Sequence, residues 1–175
     1  MYERILIVAD EGMIARAALD EGLALAQSQT AEVVFFHVLP NFVLPLADMP
    51  AVATLGPEQH RKAVERVARR VLAAAVEQAA RLGLAASGFI GSSADAADCI
   101  ARAAAERQCG LIVIGSHGRN AIQRLLLGSV VTRLITLAPV PVLVCKPADT
   151  RPLTKGASAL KPGKRRRVAE KSRAA

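Results

Sequence analysis

Five short apolar runs alternate with four stretches of helical period, and this alternation restricts the chain to few folds. The runs are residues 4–9 (Arg-Ile-Leu-Ile-Val-Ala), 32–39 (Glu-Val-Val-Phe-Phe-His-Val-Leu), 84–90, 111–114 (Leu-Ile-Val-Ile) and 140–145 (Val-Pro-Val-Leu-Val-Cys). Between them, residues 14–27 carry Ala17, Ala18, Leu19, Leu23 and Ala26 near helical spacing. Residues 57–82 do the same with Val64, Val67, Val71, Ala75 and Ala79, residues 94–107 are Ala-rich, and residues 129–137 end before Pro139. Strands that alternate with helices specify a parallel sheet with right-handed crossovers and helices on both faces, an α/β three-layer sandwich.

Local signals refine this outline. Pro57 suits the first turn of a helix, with Glu58 behind it, and Gly83 suits the helix end. Ser92 and Asp95 have the spacing of a capping box, which predicts Ser92 as the N-cap of the third helix. Ser87 and Gly88 place the third strand at a sheet edge, and Pro141 does the same for the fifth. Residues 40–57 hold Pro40, Pro45, Pro50 and Pro57. A connection of that length is expected to be a lid, a binding loop or a mobile segment.

Composition narrows the core and the compartment. Hydrophobic residues make up 52% of the 175, aromatics only 3%, and Trp is absent. The core must be Val, Ile, Leu and Ala, as in strands covered on both faces. No apolar run approaches the roughly 18 residues that span a bilayer. The start of the chain passes straight into a strand without a signal-peptide layout, so a cytoplasmic location is expected. Cys99, Cys109 and Cys145 lack CxxC spacing and read as apolar fillers in a reduced compartment. The net charge of +8 is unevenly placed. Residues 1–147 carry 14 Lys and Arg against 13 Asp and Glu, whereas residues 148–175 carry 9 against 2. Two parts are therefore expected: a folded domain over residues 1–147 and a disordered basic tail over 148–175.

The join between the fourth strand and the fourth helix carries the chemistry. Gly115, Gly118 and Gly128 stand at fixed offsets, and Ser129 follows the last. Glycine lets backbone N–H groups approach an anion closely and permits positive φ. Ser129 adds a hydroxyl where a helix N-terminus favours negative charge. At the carboxyl edge of a parallel sheet these four residues can make a phosphate cradle, the alternative being an ordinary strand-to-helix turn that needs its glycines for geometry alone. No Lys precedes Ser129, so this is not a Walker loop, and the spacing is not G-x-G-x-x-G.

The spacing G-x2-G-x9-G-S, followed by an apolar helix and Ala138-Pro139-Val140-Pro141-Val142-Leu143-Val144, resembles the universal stress protein family in its ATP-binding subclass. Ile5-Leu6-Ile7-Val8-Ala9-Asp10, His37-Val38 and Gly115-Ser116-His117-Gly118-Arg119 also carry the resemblance, which covers residues 2–147. It implies an adenine nucleotide alpha hydrolase-like sheet of order 3-2-1-4-5. It implies a homodimer paired through the last strand, Val140 to Cys145, and ATP or another adenine nucleotide, with or without Mg²⁺. Carried over, Val8, Ala9 and Asp10 lie near the adenosine, and Val38 lines the adenine pocket. Ile114 and Gly115 flank the ribose. Gly118, Arg119, Gly128, Ser129 and Val130 hold phosphates.

The chain departs from the family after Asp10, where Glu11-Gly12 replaces the usual Gly-Ser and Ile14-Ala15 stands where Ser is usual. Glu11 brings negative charge towards the expected nucleotide, which weakens binding or helps hold a divalent cation. No catalytic residue and no metal site is read from the sequence. His117 has no second His or Cys nearby, and Arg61, Lys62, Arg66, Arg69 and Arg70 read as a solvated helix face.

The expected function is a cytosolic, dimeric, nucleotide-responsive stress regulator that binds ATP. Hydrolysis is slow at most, because no general base or arginine finger is evident. The alternative is a nucleotide-free interaction protein acting through its dimer surface and basic tail. Lys164-Arg165-Arg166-Arg167 would attract nucleic acid or an anionic surface by charge alone, but no aromatics are interleaved to stack bases, and a solubilising tail is the simpler reading. An enzyme of the wider adenine nucleotide superfamily is a third reading, disfavoured because no second nucleotide-transfer motif is present.

Overall fold

The computed structural model describes residues 1–40, 57–116 and 128–146. The proline-bearing connection at 41–56, most of the glycine loop at 117–127 and the segment 147–175, which includes the expected basic tail, lie outside the described residues. Nine elements follow in strict alternation: β1 (Arg4–Val8), α1 (Met13–Gln29), β2 (Glu32–Pro40), α2 (Pro57–Arg81), β3 (Ala86–Ser93), α3 (Ala96–Glu106), β4 (Leu111–Gly115), α4 (Ser129–Leu137) and β5 (Val142–Cys145). All pairings are parallel, and the sheet order is β3-β2-β1-β4-β5.

That order sets where a ligand goes. From β1 the chain winds outward through β2 to β3, then returns to lay β4 on the other side of β1. The winding reverses between β1 and β4, and the crevice of such a sheet opens beyond the carboxyl ends of those two strands. Their exits are residues 9–12 and 116–128.

Alternation within the strands divides the core in two. Ile5, Ile7, Val33, Phe35, Leu111 and Val113 pack with Ala18, Leu23 and Ala26 of α1 and Leu72, Ala75 and Ala79 of α2. Leu6, Val34, Phe36, Ile112 and Ile114 pack with Ile100 and Ala104 of α3 and Val131 and Leu134 of α4. Alanine stripes let helices lie close to the sheet. Glycine does so at two places. A Cβ on Gly22 would meet Ile7 Cδ1 at 2.6 Å, and one on Gly91 would meet Phe36 Cζ at 2.5 Å and Cys99 Sγ at 2.7 Å.

Three expectations shift. The buried stripe of α2 is Ala68, Leu72, Ala75 and Ala79, with Val64, Val67 and Val71 only partly covered. The smaller Ala68, not the valines, marks its contact line in the N-terminal half. The third strand begins at Ala86, because Leu84 still donates its N–H to Ala79 of α2 (3.1 Å) and closes that helix. Ser92 does not cap α3. It belongs to β3, paired with Leu39, and Asp95 is the N-cap, accepting the Asp98 N–H at 3.2 Å. The edge positions of β3 and β5 and the extent of α4 agree with the sequence reading.

The amino end of the sheet is tied by side chains. Arg4 donates from Nε and Nη2 to Glu32 (2.9 and 2.7 Å) and from Nη1 to the Arg107 carbonyl (2.7 Å). Cys99, Cys109 and Cys145 are buried free thiols, as read from their spacing. Burial pushes the Cys109 thiol from 9.0 up to about 11. The folded chain therefore keeps this proton where the unfolded chain releases it, and stability falls as pH rises from 9.0 towards about 11. The wild type is expected to lose more urea resistance across that range than Cys109→Ala. Equal losses would dismiss this contribution.

Candidate nucleotide site

The carboxyl end of β1 is fixed by two hydrogen bonds from β2. Ala9 donates its N–H to the Phe36 carbonyl at 2.9 Å. Its own carbonyl accepts from Nδ1 of His37 at 2.7 Å. A carbonyl can only accept, so Nδ1 carries the proton. His37 is buried, and this bond meets the requirement that a buried polar group have a partner. It also fixes where the chain leaves the strand. Asp10 follows, its Oδ1 accepting the Glu11 N–H at 2.7 Å, and Gly12 turns into α1 at φ 113°, a conformation that glycine adopts without strain.

The exit of β4 is fixed with comparable economy. Ser116 is buried, with 1% exposure. Its N–H donates to the Cys145 carbonyl (2.8 Å), and its carbonyl accepts the Gly128 N–H (3.0 Å). That second bond joins the two ends of the glycine loop, so Gly128 starts α4 beside the point where β4 ends. Gly128 is the N-cap, and among the described residues no side chain caps the helix. The first N–H groups of a helix have no partner within it, and they point outward with the positive end of the dipole. Neither acidic nor bulky residues occupy this turn, which reads Ser129-Val130-Val131.

Between this turn and the start of α3 lies a cavity of about 570 Å³. Val38, Ser93, Asp95, Ser129, Val130 and Arg133 are among its walls. Three residues expected at the site, Val38, Ser129 and Val130, meet there although they lie far apart in the sequence. Val8 and Val38 pack on the α3/α4 side of the sheet, and Ile114 is buried in the same cluster, so all three share the cavity's side. Ala9 is buried on the α1/α2 side of the sheet, Asp10 follows β1, Gly115 ends β4 and Gly128 precedes α4, and none of the four is among the residues that line the cavity. Gly118 and Arg119 lie outside the described residues.

The sequence reading missed the α3 wall and Arg133. Arg133 donates from Nε and Nη2 to Oδ2 of Asp95, at 2.9 and 2.7 Å. The Asp98 amide, and after it the Arg133 guanidinium, hold the Asp95 carboxyl below the usual carboxylate range. Two signals were available. Arg133 is four residues beyond Ser129, on the same helix face, and Asp95 is a strong N-cap residue in its own right. His37 and Ser116 act through burial and backbone bonds, which spacing in sequence does not report.

A second concavity, about 470 Å³, lies on the outer face of α2 along Gln59, Lys62, Glu65, Arg66 and Arg69. Glu65 pairs with Arg69 and Glu58 with Arg61 in water. This is the solvated face expected from the sequence. Among the described residues, no group of three or more His, Cys, Asp or Glu could hold a metal ion, and no helix is long and apolar enough to cross a membrane.

The family model described as "Universal stress protein family" matches residues 1–146. The chain belongs to the universal stress protein family. A universal stress protein of Bacillus subtilis, YxiE, is 29% identical over 150 residues, which span 83% of this chain and 100% of that one. A solved universal stress protein from Burkholderia pseudomallei is 32% identical, with 84% and 97% of the two chains covered and a TM-score of 0.67. More distant members share the fold. One from Archaeoglobus fulgidus, solved in complex with dAMP, is 21% identical, covers 83% of this chain and 98% of its own, and has a TM-score of 0.57. One from Arabidopsis thaliana with AMP bound is 16% identical, covers 86% and 96%, and has a TM-score of 0.61.

Proposed function

We propose that this universal stress protein binds an adenine nucleotide, ATP foremost, in the cavity between the starts of α3 and α4, and acts as a cytosolic, dimeric, nucleotide-responsive regulator. The observation that carries the reading is the first turn of α4. It has a glycine N-cap without a capping side chain, followed by Ser129 and Val130 on the cavity wall. Helix amides of this kind and a small hydroxyl suit a phosphate. Val38, across the cavity, suits the flat face of a base. The fold neighbours solved with dAMP and AMP support the same ligand class. Asp10 lies at the β1 exit, where it suits a ribose hydroxyl. Gly118 and Arg119 are assigned to the phosphates on the family spacing, and Mg²⁺ is the cation that would accompany ATP there. The described residues offer anion donors and no placed general base, which suits hydrolysis that is slow at most.

Isothermal titration of the full chain with ATP and Mg²⁺ is expected to show saturable binding. No heat with protein at several hundred micromolar would overturn the nucleotide reading and favour an interaction protein with an empty pocket.

The dimer belongs to the same proposal. β5 is an edge strand, and Leu143 on it is 39% exposed, with Ile135 and Leu137 on neighbouring α4 exposed at 51% and 42%. An open parallel edge beside apolar side chains suits pairing with a second copy. Light scattering is expected to give a dimer for the wild type and a monomer for Leu143→Glu. A monomeric wild type would remove this part.

A further inference from the structure

Arg133 stands over the cavity, held by a partner that can release it. It follows Ser129 by four residues, so the two share one face of α4. Helical side chains lean towards the N-terminus of their helix. The Arg133 side chain therefore runs back along the wall that Ser129 begins, and both residues line the cavity. Its Nε and Nη2 meet a single oxygen, Oδ2 of Asp95. The other oxygen of that carboxylate accepts the Asp98 N–H and caps α3. Asp95 thus does two separable jobs, one per oxygen, and losing Arg133 leaves the cap in place.

The Arg133–Asp95 pair is open to water, with side chains 63% and 35% exposed. Pairs of this kind are weak and are screened by salt. A phosphate chain carries more negative charge than one carboxylate and presents paired oxygens that match a guanidinium. Ser129 and the amides of the first turn engage one phosphate. Arg133, a turn further along and reaching across to α3, is placed to engage another.

We infer that Arg133 selects for the length of the phosphate chain: it leaves Asp95 for a terminal phosphate of a nucleoside polyphosphate and makes the site prefer ATP to AMP. This rests on the adenine-nucleotide reading above. Asp95 is the competitor that holds the guanidinium at the cavity until the polyphosphate arrives.

The test is titration of ATP and AMP, in one magnesium buffer, into the wild-type full chain, Arg133→Gln and Asp95→Asn, with folding checked by circular dichroism. Arg133→Gln is expected to weaken ATP about tenfold and leave AMP within about twofold, the scale of one charge-assisted hydrogen bond. Asp95→Asn keeps an oxygen for the Asp98 N–H and lowers the hold on Arg133, so ATP binds more tightly. The inference is overturned if Arg133→Gln weakens ATP and AMP equally or leaves ATP unchanged, or if Asp95→Asn fails to tighten ATP. A wild type that binds AMP but does not prefer ATP overturns the selection alone. A wild type that binds neither nucleotide overturns the site reading itself.

Discussion

Ser129→Asp is expected to abolish ATP binding while leaving the fold as stable as before, or more so. The two effects have opposite signs because they come from one feature. Ser129 is exposed and is the first residue of α4, behind a glycine N-cap that offers no side chain to the helix amides. A carboxylate in the first turn interacts favourably with the helix dipole, so the variant does not lose folding stability there. The same carboxylate occupies the amides a phosphate would use and repels it. Loss of one hydrogen bond to a charged group costs about 1.5–3 kcal/mol. Like-charge repulsion at about 4 Å adds to it, so a fall in affinity on the order of 100-fold or more follows. Titration with ATP and a thermal melt of the same sample check both signs. An unchanged affinity would remove the α4 N-terminus from the site. A lost affinity with a much lower melting point would mean the variant reports on folding alone.

The place of Ser129 at the start of α4 was legible in the sequence because it belongs to a local pattern, and its phosphate role is the proposal built on that place. Gly115, Gly118, Gly128 and Ser129 lie in one connection, and a strand before them and a helix after them fix what they can do. The alternation of strands and helices, the edge character of β3 and β5 and the extent of α4 were legible for the same reason. Each rests on neighbours within a turn or a few residues. Tertiary placement decided the rest. The valines of α2 looked like its core stripe, yet Ala68 and Leu72 take that role, since the helix must come close to β2 and β3. Ser92 looked like the cap of α3, yet the sheet ladder runs on to Ser93 and leaves the cap to Asp95. The Arg133–Asp95 pair joins residues 38 apart in sequence, and the bond from His37 to Ala9 joins residues 28 apart. Such contacts exist because helices and strands pack, and hydrophobic period reports only which side packs, not what meets at the end of a strand.

Phe35→Ala is expected to remove a large share of the domain's stability, and ATP is expected to restore part of it. Phe35 is fully buried and is the largest side chain so enclosed among the described residues. Among the described aromatics, Phe36 and Phe89 pack on the other side of the sheet, and only the partly buried Tyr2 shares the α1/α2 side of the core. Its sheet neighbours are Ile7 on β1 and Gly88 on β3, and Gly88 has no side chain to lean into the gap. Such truncations cost about 3–5 kcal/mol, set against the roughly 5–15 kcal/mol of a typical domain, of which about a fifth or more is then lost. Phe35 is on the sheet face opposite Val38 and Ile114, and so away from the cavity's side. Whatever fraction of Phe35→Ala folds should therefore bind nucleotide with near wild-type affinity. At a hundredfold excess over the dissociation constant, a ligand specific for the folded state returns about 2.7 kcal/mol. Urea unfolding of Phe35→Ala with and without ATP is expected to show that recovery, and the double variant Phe35→Ala with Ser129→Asp is expected to show none. Recovery in the double variant would place the nucleotide somewhere other than the first turn of α4.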